Sequence, residues 1–177
     1  MSGIIGKSPD MRSGVIGAYP DGHILQVLHN NRTSGSFSTT STTSAAISDL
    51  VLSITPKYTS SKIYILSNVH VYVTSHSADA WSAARFGISR TITGGSASTI
   101  WNSANAGVTD TYTFGQYVTD TTSREMGRTT ISHLDSPSTT ISTSYQITLA
   151  SSQSTGYNVM SDYSHAYSEI TLMEVAG

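Results

Sequence analysis

The sequence predicts an all-β protein, an antiparallel β-sandwich or jelly roll with a short extended N-terminal arm. Three observations predict it: apolar and polar residues alternate over several segments, no window shows a 3.6-residue period, and turn-forming residues separate the segments. Serine and threonine make up about a third of the 177 residues, and threonine suits the pleated surface of a strand. We expect the arm over residues 1–19 and the sandwich over residues 20–177.

Two segments show the alternation most clearly. Over residues 62–76, the odd-numbered positions from Ile63 to Val73 are apolar or small, and the even-numbered positions from Tyr64 to Thr74 form a mixed face. Residues 140–150 alternate in the same way, with Ile141 and Leu149 on the apolar face. Weaker alternation predicts further strands at residues 24–29, 36–43, 51–55, 85–92, 109–118, 124–133 and 168–175. Turn residues lie at 55–57, 93–96, 135–138 and 154–156.

Composition excludes several classes of protein. Charged residues are only 11% of the chain, the net charge is −2 and the basic residues do not cluster, so we expect no nucleic-acid partner. Ten tyrosines, three phenylalanines and two tryptophans argue against disorder. The chain has no cysteine for disulfides or a cysteine-based zinc site. Neither a signal peptide nor an apolar stretch of membrane-spanning length is present, so we expect no membrane partner.

Low charge also bears on assembly. Strand edges that carry few charges are prone to pair with other strands, and proteins protect such edges by covering or closing them. We therefore expect this chain to be an obligate homo-oligomer, most simply a trimer.

No pattern predicts catalysis. Histidines stand at positions 23, 29, 70, 76, 133 and 165. His70 and His76 share a strand face but lie about 20 Å apart at ~3.3 Å per residue, too far to share a metal. The G-x-S-x-G motif is absent, and only three glutamates accompany the scattered aspartates. We expect no enzyme activity, no metal and no cofactor.

Two groups of residues are candidates for binding other molecules. In the arm, glycines at 3, 6, 14 and 17 alternate with apolar residues that need a partner surface, and the candidate attachment residues are Ile4, Ile5, Met11, Val15 and Ile16. Aromatic side chains with a polar atom favour interfaces and can stack on sugars, which makes Trp81, Trp101, Tyr157, Tyr163 and Tyr167 candidates for subunit or surface contact. Packing in the core is the alternative for these five.

Four short motifs occur in order along the chain. They are GHILQV at 22–27, LSITP at 52–56 followed by TSSKI at 59–63, LDSPSTT at 134–140, and ITLMEVAG at 170–177. In these segments the chain resembles a group of small structural and fibre proteins of tailed bacteriophages, frequent among marine phages. The resemblance covers the chain from about residue 22 to its end. It implies a virion protein with a trimeric β-sandwich head and no catalytic residues.

The place on the particle is a separate question. Only about twenty residues precede the module in this sequence, without a shaft or coiled coil, and this favours a compact capsid decoration or cement protein on the virion surface, assembled in the host cytoplasm. The expected partners are further copies of itself and phage capsid or tail proteins. A tail fibre or receptor-binding subunit is one alternative, and a carbohydrate-binding module that contacts a host surface glycan is another.

Overall fold

The regular structure of the chain is β-strand throughout the residues that the structure describes. The computed structural model describes residues 21–32, 35–74, 80–103, 114–118, 124–152, 158–161 and 167–177, and the backbone of residues 11–12 and 15–16. The strands are β1 (Met11–Arg12), β2 (Val15–Ile16), β3 (Ile24–Asn31), β4 (Phe37–Thr39), β5 (Ala45–Ile54), β6 (Lys62–Thr74), β7 (Ala80–Ile92), β8 (Ser98–Asn102), β9 (Phe114–Val118), β10 (Arg124–Asp135), β11 (Thr143–Ser151), β12 (Asn158–Ser161) and β13 (Glu169–Val175).

Eight of these strands form a jelly roll. One sheet runs β3, β13, β6, β10, and the other runs β5, β11, β7, β8. Counted along the chain, these are strands one, eight, three and six, and strands two, seven, four and five. The pairs β3–β13, β5–β11, β6–β10 and β7–β8 are all antiparallel, so the chain forms one long hairpin that folds over on itself. That strand order is the order of a jelly roll, and it confirms the fold class expected from the sequence.

Short strands extend both sheets at one end of the roll. On one edge of β6, β13 pairs with Lys62–Asn68 and β12 pairs with Val71–Thr74, and β4 continues the sheet beyond β12. On one edge of β7, β8 pairs with Gly87–Arg90 and β9 pairs with Ala80–Ala84. Each of the two long central strands, β6 and β7, thus pairs along one edge with two different strands.

The core lies between the two sheets, and the sequence alternation determines which side chains enter it. The inner face of β6 is fully buried from Ile63 to Val73, and the hydroxyl of Ser67 on this face donates to the carbonyl of Glu169 at 2.7 Å. Phe86 and Tyr145 are the largest fully buried side chains on the opposing sheet. The core residues are Ile47, Leu50, Ile54, Ile63, Ile65, Val69, Val71, Val73, Ala84, Phe86, Ile88, Ile131, Tyr145, Ile147, Leu149, Ile170 and Leu172.

Strand β5 departs from strict alternation. Ile47 and Leu50 are both buried although they are three residues apart. Between them Asp49 has a positive φ of 65°, and the register with β11 shifts between Gln146 and Thr148. Aspartate tolerates this left-handed conformation better than most residues. The bulge explains why the alternation in the sequence predicted only residues 51–55 of a ten-residue strand.

Over the described residues, the remaining predicted strands agree in position with the observed ones but not in length. Residues 109–113 of the strand predicted at 109–118, and the turn predicted at 154–156, lie outside the described residues. The predicted strand at 36–43 is only Phe37–Thr39, and β8 and β12 were not predicted, since four or five residues show too little alternation. At the predicted arm, the backbone of β1 pairs with β2 through Met11–Ile16 and Arg12–Val15, forming a small sheet of its own. The other residues of 1–19 lie outside the described part of the chain.

Candidate interaction surface

An apolar row crosses the outer face of the sheet that contains β6. Leu134 in β10, Tyr64 in β6, Met173 in β13 and Val27 in β3 are successive cross-strand neighbours in one register row. Their sequence neighbours Ile63, Ile65 and Leu172 point into the core, so the row faces outward. Leu134 and Val27 are 50% and 53% exposed, and Tyr64 and Met173 are half-buried. We call these four residues the outer apolar row.

The outer apolar row has more apolar surface beside it. Ile24, the first residue of β3, is 57% exposed, and Leu66 lies in the next row, between Ser132 and Thr171. Four strands at about 4.8 Å spacing make the row roughly 14 Å wide. A contiguous exposed apolar surface of this kind is typical of sites that contact other proteins.

Strand β10 adds an unpaired edge beside this surface. Among the described strands, β10 forms its ladder of hydrogen bonds with β6 alone, over all twelve of its residues. Met126 on its outer face is 61% exposed. Exposed strand edges with apolar residues pair readily with other chains, so β10 and the outer apolar row together offer a surface for self-association.

The end of the roll beneath the outer apolar row is closed by a buried carboxylate. Glu174 of β13 is fully buried. Its Oε1 accepts hydrogen bonds from the backbone N–H of Lys57 and the hydroxyl of Ser61, both at 2.6 Å, and its Oε2 accepts one from Gln26 Nε2 at 2.6 Å. Gln26 Nε2 also donates to the carbonyl of Thr55 at 2.9 Å. Glu174 therefore fixes the turn between β5 and β6 against β3.

A second buried carboxylate lies in the same register row. Ile63 of β6 pairs with Glu174 on one side and with Asp135 of β10 on the other. Asp135 accepts from Arg90 Nη1 at 2.9 Å on both carboxylate oxygens and from the Tyr145 hydroxyl at 2.8 Å. Arg90 and Tyr145 belong to the opposing sheet, so this ion pair joins the two sheets.

The second cluster affects the ionisation of Tyr145. Burial raises the pKa of the Tyr145 hydroxyl, and both the hydrogen bond to Asp135 and the negative charge of that carboxylate raise it further, while Arg90 lowers it. Tyr145 therefore stays protonated and donates to Asp135 at neutral pH. Because every carboxylate oxygen in the two clusters accepts hydrogen bonds from fixed donors, their geometry suits a structural role better than proton transfer.

These two clusters account for the four motifs that carried the family resemblance. The GHILQV segment supplies Gln26, the LSITP and TSSKI segments supply the turn that Glu174 holds, and the ITLMEVAG segment supplies Glu174 itself. The LDSPSTT segment supplies Asp135, the carboxylate of the second cluster. Reciprocal backbone bonds, Gly22 N to Ala176 O and Ala176 N to His23 O, both 2.8 Å, join the first and last segments. All four motifs meet at one end of the roll.

The structure separates the aromatic candidates. Trp101 in β8 is half-buried and packs against the core, whereas Tyr167, just before β13, is 56% exposed. Trp81 lies in β7, where its backbone is paired with that of Tyr117. Tyr157 and Tyr163 lie outside the described residues, as do Ile4 and Ile5 of the attachment group. Met11, Val15 and Ile16 are described only through the backbone of the β1–β2 hairpin.

Metal-binding groups and membrane-spanning helices can be assessed only for the described part of the chain. Within it, no three histidine, aspartate or glutamate side chains come together as a metal-binding group. No helix among the described residues is long and apolar enough to span a membrane. His29 binds Thr171 and Asn31 through its ring nitrogens, at 2.9 and 2.8 Å.

Sequence reasoning did not single out the outer apolar row. The signal was present as apolar residues at positions of the alternation that should face solvent, namely Val27, Met173 and Leu134. Each is a single residue within its own strand. Only the register of four strands places them side by side, which is why the sequence alone did not show a surface.

Comparisons with known proteins identify no family. No model of a known protein family matches the sequence, and no curated protein matches it. Three solved structures are similar over 99% of this chain: infectious bursal disease virus of the Gt strain (TM-score 0.34, 11% identity, 43% of that chain), the same virus of the Gx strain (0.36, 12%, 42%), and T=1 particles derived from infectious bursal virus (0.34, 10%, 41%). This chain thus spans less than half of each. With TM-scores of this size, the fold assignment is based on the strand order of the roll.

Proposed function

We propose that this chain is a non-enzymatic structural protein of a bacteriophage particle, a decoration or cement subunit that forms homotrimers on the capsid surface. The observation that carries the proposal is the outer apolar row, an exposed apolar surface that a second copy of the chain would cover. The jelly roll is used both in viral capsids and in lectin domains, so the fold suits this role without specifying it.

Low charge supports self-association as the role of this surface. Only 11% of the residues are charged, and the outer apolar row itself contains none. Burying a side chain such as Val27 or Leu134 in an interface stabilises the contact by about 1.5–3 kcal/mol when burial is complete. The resemblance of four motifs to small phage structural proteins supports the virion as the place where the oligomer works.

Introducing a charge into the outer apolar row tests the proposal. Leu134→Lys should convert the trimer to a monomer in dilute neutral buffer, because the interface would have to bury an unpaired ammonium group. Light scattering coupled to gel filtration gives the mass of each species. Thr99→Lys is the matched control, since Thr99 is exposed on β8 of the other sheet, and it should leave the mass unchanged.

Two results would contradict the proposal. If the unmodified protein is a stable monomer, the outer apolar row is not a subunit interface. If Leu134→Lys remains a trimer while far-UV circular dichroism shows a native fold, another surface forms the contact.

The number of copies per particle distinguishes the capsid from the tail. A decoration protein is present in hundreds of copies, whereas a tail fibre or receptor-binding subunit is present in a handful. Quantitative mass spectrometry of purified particles, referenced to the major capsid protein, measures this number. A low count would reassign the subunit to the tail without changing the expected trimer.

A further inference from the structure

The inner face of β3 carries polar side chains at positions where a core strand usually carries apolar ones. Over residues 26–31 the strand alternates in burial, and its even-numbered side chains point toward the core. Leu28 packs against the core, but Gln26 and Asn30 occupy the positions on either side of it. Arg32, which follows the strand, is only 3% exposed. Burying polar side chains is unfavourable unless they form hydrogen bonds, so their partners indicate their role.

The partners of Asn30 and Arg32 are backbone carbonyls of β5. Asn30 Nδ2 donates to the carbonyl of Asp49 at 3.1 Å and to that of Val51 at 3.2 Å. Arg32 Nε donates to the carbonyl of Ser48 at 2.7 Å. Two side chains of one sheet thus hold three carbonyls in the middle of a strand of the other sheet.

Strand β5 lies at the edge of its sheet. Among the described strands it pairs with β11 alone. Because β11 occupies one edge of β5, the side chains from β3 approach the other, free edge. A free edge presents backbone groups at the spacing that another strand requires, and proteins protect such edges against pairing with other chains. Asn30 and Arg32 lie where that other strand would have to form its bonds.

A bulge reinforces the protection at the same place. Asp49 has a positive φ of 65°, and the register between β5 and β11 shifts between Gln146 and Thr148. Gln146 Nε2 donates to the carbonyl of Ile47 at 3.2 Å, on the β11 side. Bulges twist an edge strand out of the regular geometry that pairing needs. The bulge and the side-chain donors therefore act on one stretch of β5.

Holding the two sheets together does not by itself explain the amide at position 30. Elsewhere the sheets are joined through apolar side chains such as Ile47, Leu50 and Leu28. Burial of an apolar side chain stabilises a fold more than a typical neutral hydrogen bond does. An apolar residue at position 30 would join the sheets at least as well, but it would leave the carbonyls of Asp49 and Val51 without donors.

We infer that Asn30 and Arg32 block the free edge of β5 against pairing with β5 of a second copy of the chain. Two copies of one edge can pair in antiparallel orientation about a two-fold axis. Since only 11% of the residues are charged, few charges are available to keep edges apart, and side-chain donors serve instead. The inference goes beyond the proposed function, because it concerns an edge that self-association avoids.

Asn30→Ala tests the inference by freeing the carbonyls of Asp49 and Val51. Light scattering coupled to gel filtration should give at least twice the mass of the unmodified chain at the same concentration, because edge pairing joins two copies. Asn31→Ala is the matched control. Asn31 is the same residue type one position along β3, but its side chain is exposed on the outer face and bonds to His29. This variant should keep the mass of the unmodified chain.

Hydrogen exchange over residues 45–54 distinguishes edge pairing from a loss of stability. Pairing with a second copy protects backbone N–H groups of β5, so their exchange should be slower in Asn30→Ala than in the unmodified chain. A merely destabilised fold would exchange faster. Asn30→Leu is a second variant, close to asparagine in size, unable to donate, and apolar like Leu28 at the neighbouring inner position. It should show the same rise in mass and the same slower exchange.

Three outcomes would overturn the inference. The first is an unchanged mass for both Asn30 variants while far-UV circular dichroism shows a native fold. The second is a larger mass without slower exchange over residues 45–54, which would place the new contact elsewhere. The third is unfolding of both variants, which would show that Asn30 maintains the fold rather than guarding an edge. The mass of the unmodified chain reports on the proposed function separately.

Discussion

The two ends of the roll handle buried polar groups in opposite ways. At one end, Glu174 and Asp135 are buried and every carboxylate oxygen accepts a hydrogen bond. At the other end, Arg85 Nε, Asn102 Oδ1 and Ser103 Oγ are buried without a partner among the described residues. A satisfied network rigidifies a fold, whereas unpaired buried polar groups lower its stability. The contrast separates an end that buried polar groups stabilise from an end that they do not stabilise.

The largest effect on stability should come from Glu174. Glu174→Ala leaves the Lys57 N–H, the Ser61 hydroxyl and the Gln26 amide without their shared acceptor. We expect a loss of about 3–5 kcal/mol in the free energy of unfolding, because three buried donors lose their acceptor at about 1–3 kcal/mol each. Chemical denaturation measures it. Glu174→Gln should lose less, since its remaining oxygen can still accept from Lys57 and Ser61. A loss below about 1 kcal/mol for Glu174→Ala would mean that the network does not stabilise this end.

Two buried serines give a direct comparison of the ends. Ser61 is 1% exposed and donates to Glu174, whereas Ser103 is 9% exposed and its hydroxyl is unpaired. Ser61→Ala should destabilise the fold by about 1.5–3 kcal/mol, the range for a hydrogen bond to a charged group. Ser103→Ala should change stability by less than about 0.5 kcal/mol. Thermal and urea unfolding of both variants give the two values. Equal losses in the free energy of unfolding for the two variants would contradict the proposed difference between the two ends of the roll.

A pH-dependent effect, smaller than that of Glu174, should come from Tyr145. Tyr145→Phe removes one hydrogen bond to the Asp135 carboxylate and should cost about 1.5–3 kcal/mol at pH 7, the range for a hydrogen bond to a charged group. The pKa of this hydroxyl is raised in the folded state, so the unfolded chain loses its proton first as pH rises above about 10. Stability from this residue is therefore complete below pH 10 and falls above it, by up to about 1.4 kcal/mol per pH unit.

Urea unfolding at pH 8 and pH 11 measures the alkaline loss of stability. The loss should be smaller in Tyr145→Phe than in the unmodified chain. Tyr64→Phe, on the outer face, is the control for general effects of tyrosine loss. An alkaline loss that is the same in all three proteins would show that Tyr145 is not its source.

Most of the fold was predictable because its signal is local. The strand that became β6 was predicted from alternation alone, and its inner residues from Ile63 to Val73 are buried as expected. The signal failed where a local feature interrupts the period, as at Asp49 in β5, and where a strand is too short to show a period, as in β8 and β12.

The candidate sites were less predictable because they join residues far apart in the chain. Val27 and Met173 are cross-strand neighbours in the outer apolar row, although 146 positions separate them in the sequence. Gln26 and Glu174 are 148 positions apart and share a hydrogen bond. Of the five aromatic contact candidates, only Tyr167 has a side chain shown to be mostly exposed, at 56%.

By itself, the sequence determined that this protein is built of strands, which face of the long alternating strands is apolar, and that few charges protect its surface, since side-chain period and composition are properties of the chain alone. The tertiary structure decided the pairing of strands into a jelly roll. Register then decided which outward-facing apolar residues form one row, which carboxylates find their donors and which polar atoms at the opposite end do not. These depend on distances between strands far apart in the sequence, and alternation within one strand carries no information about its neighbour.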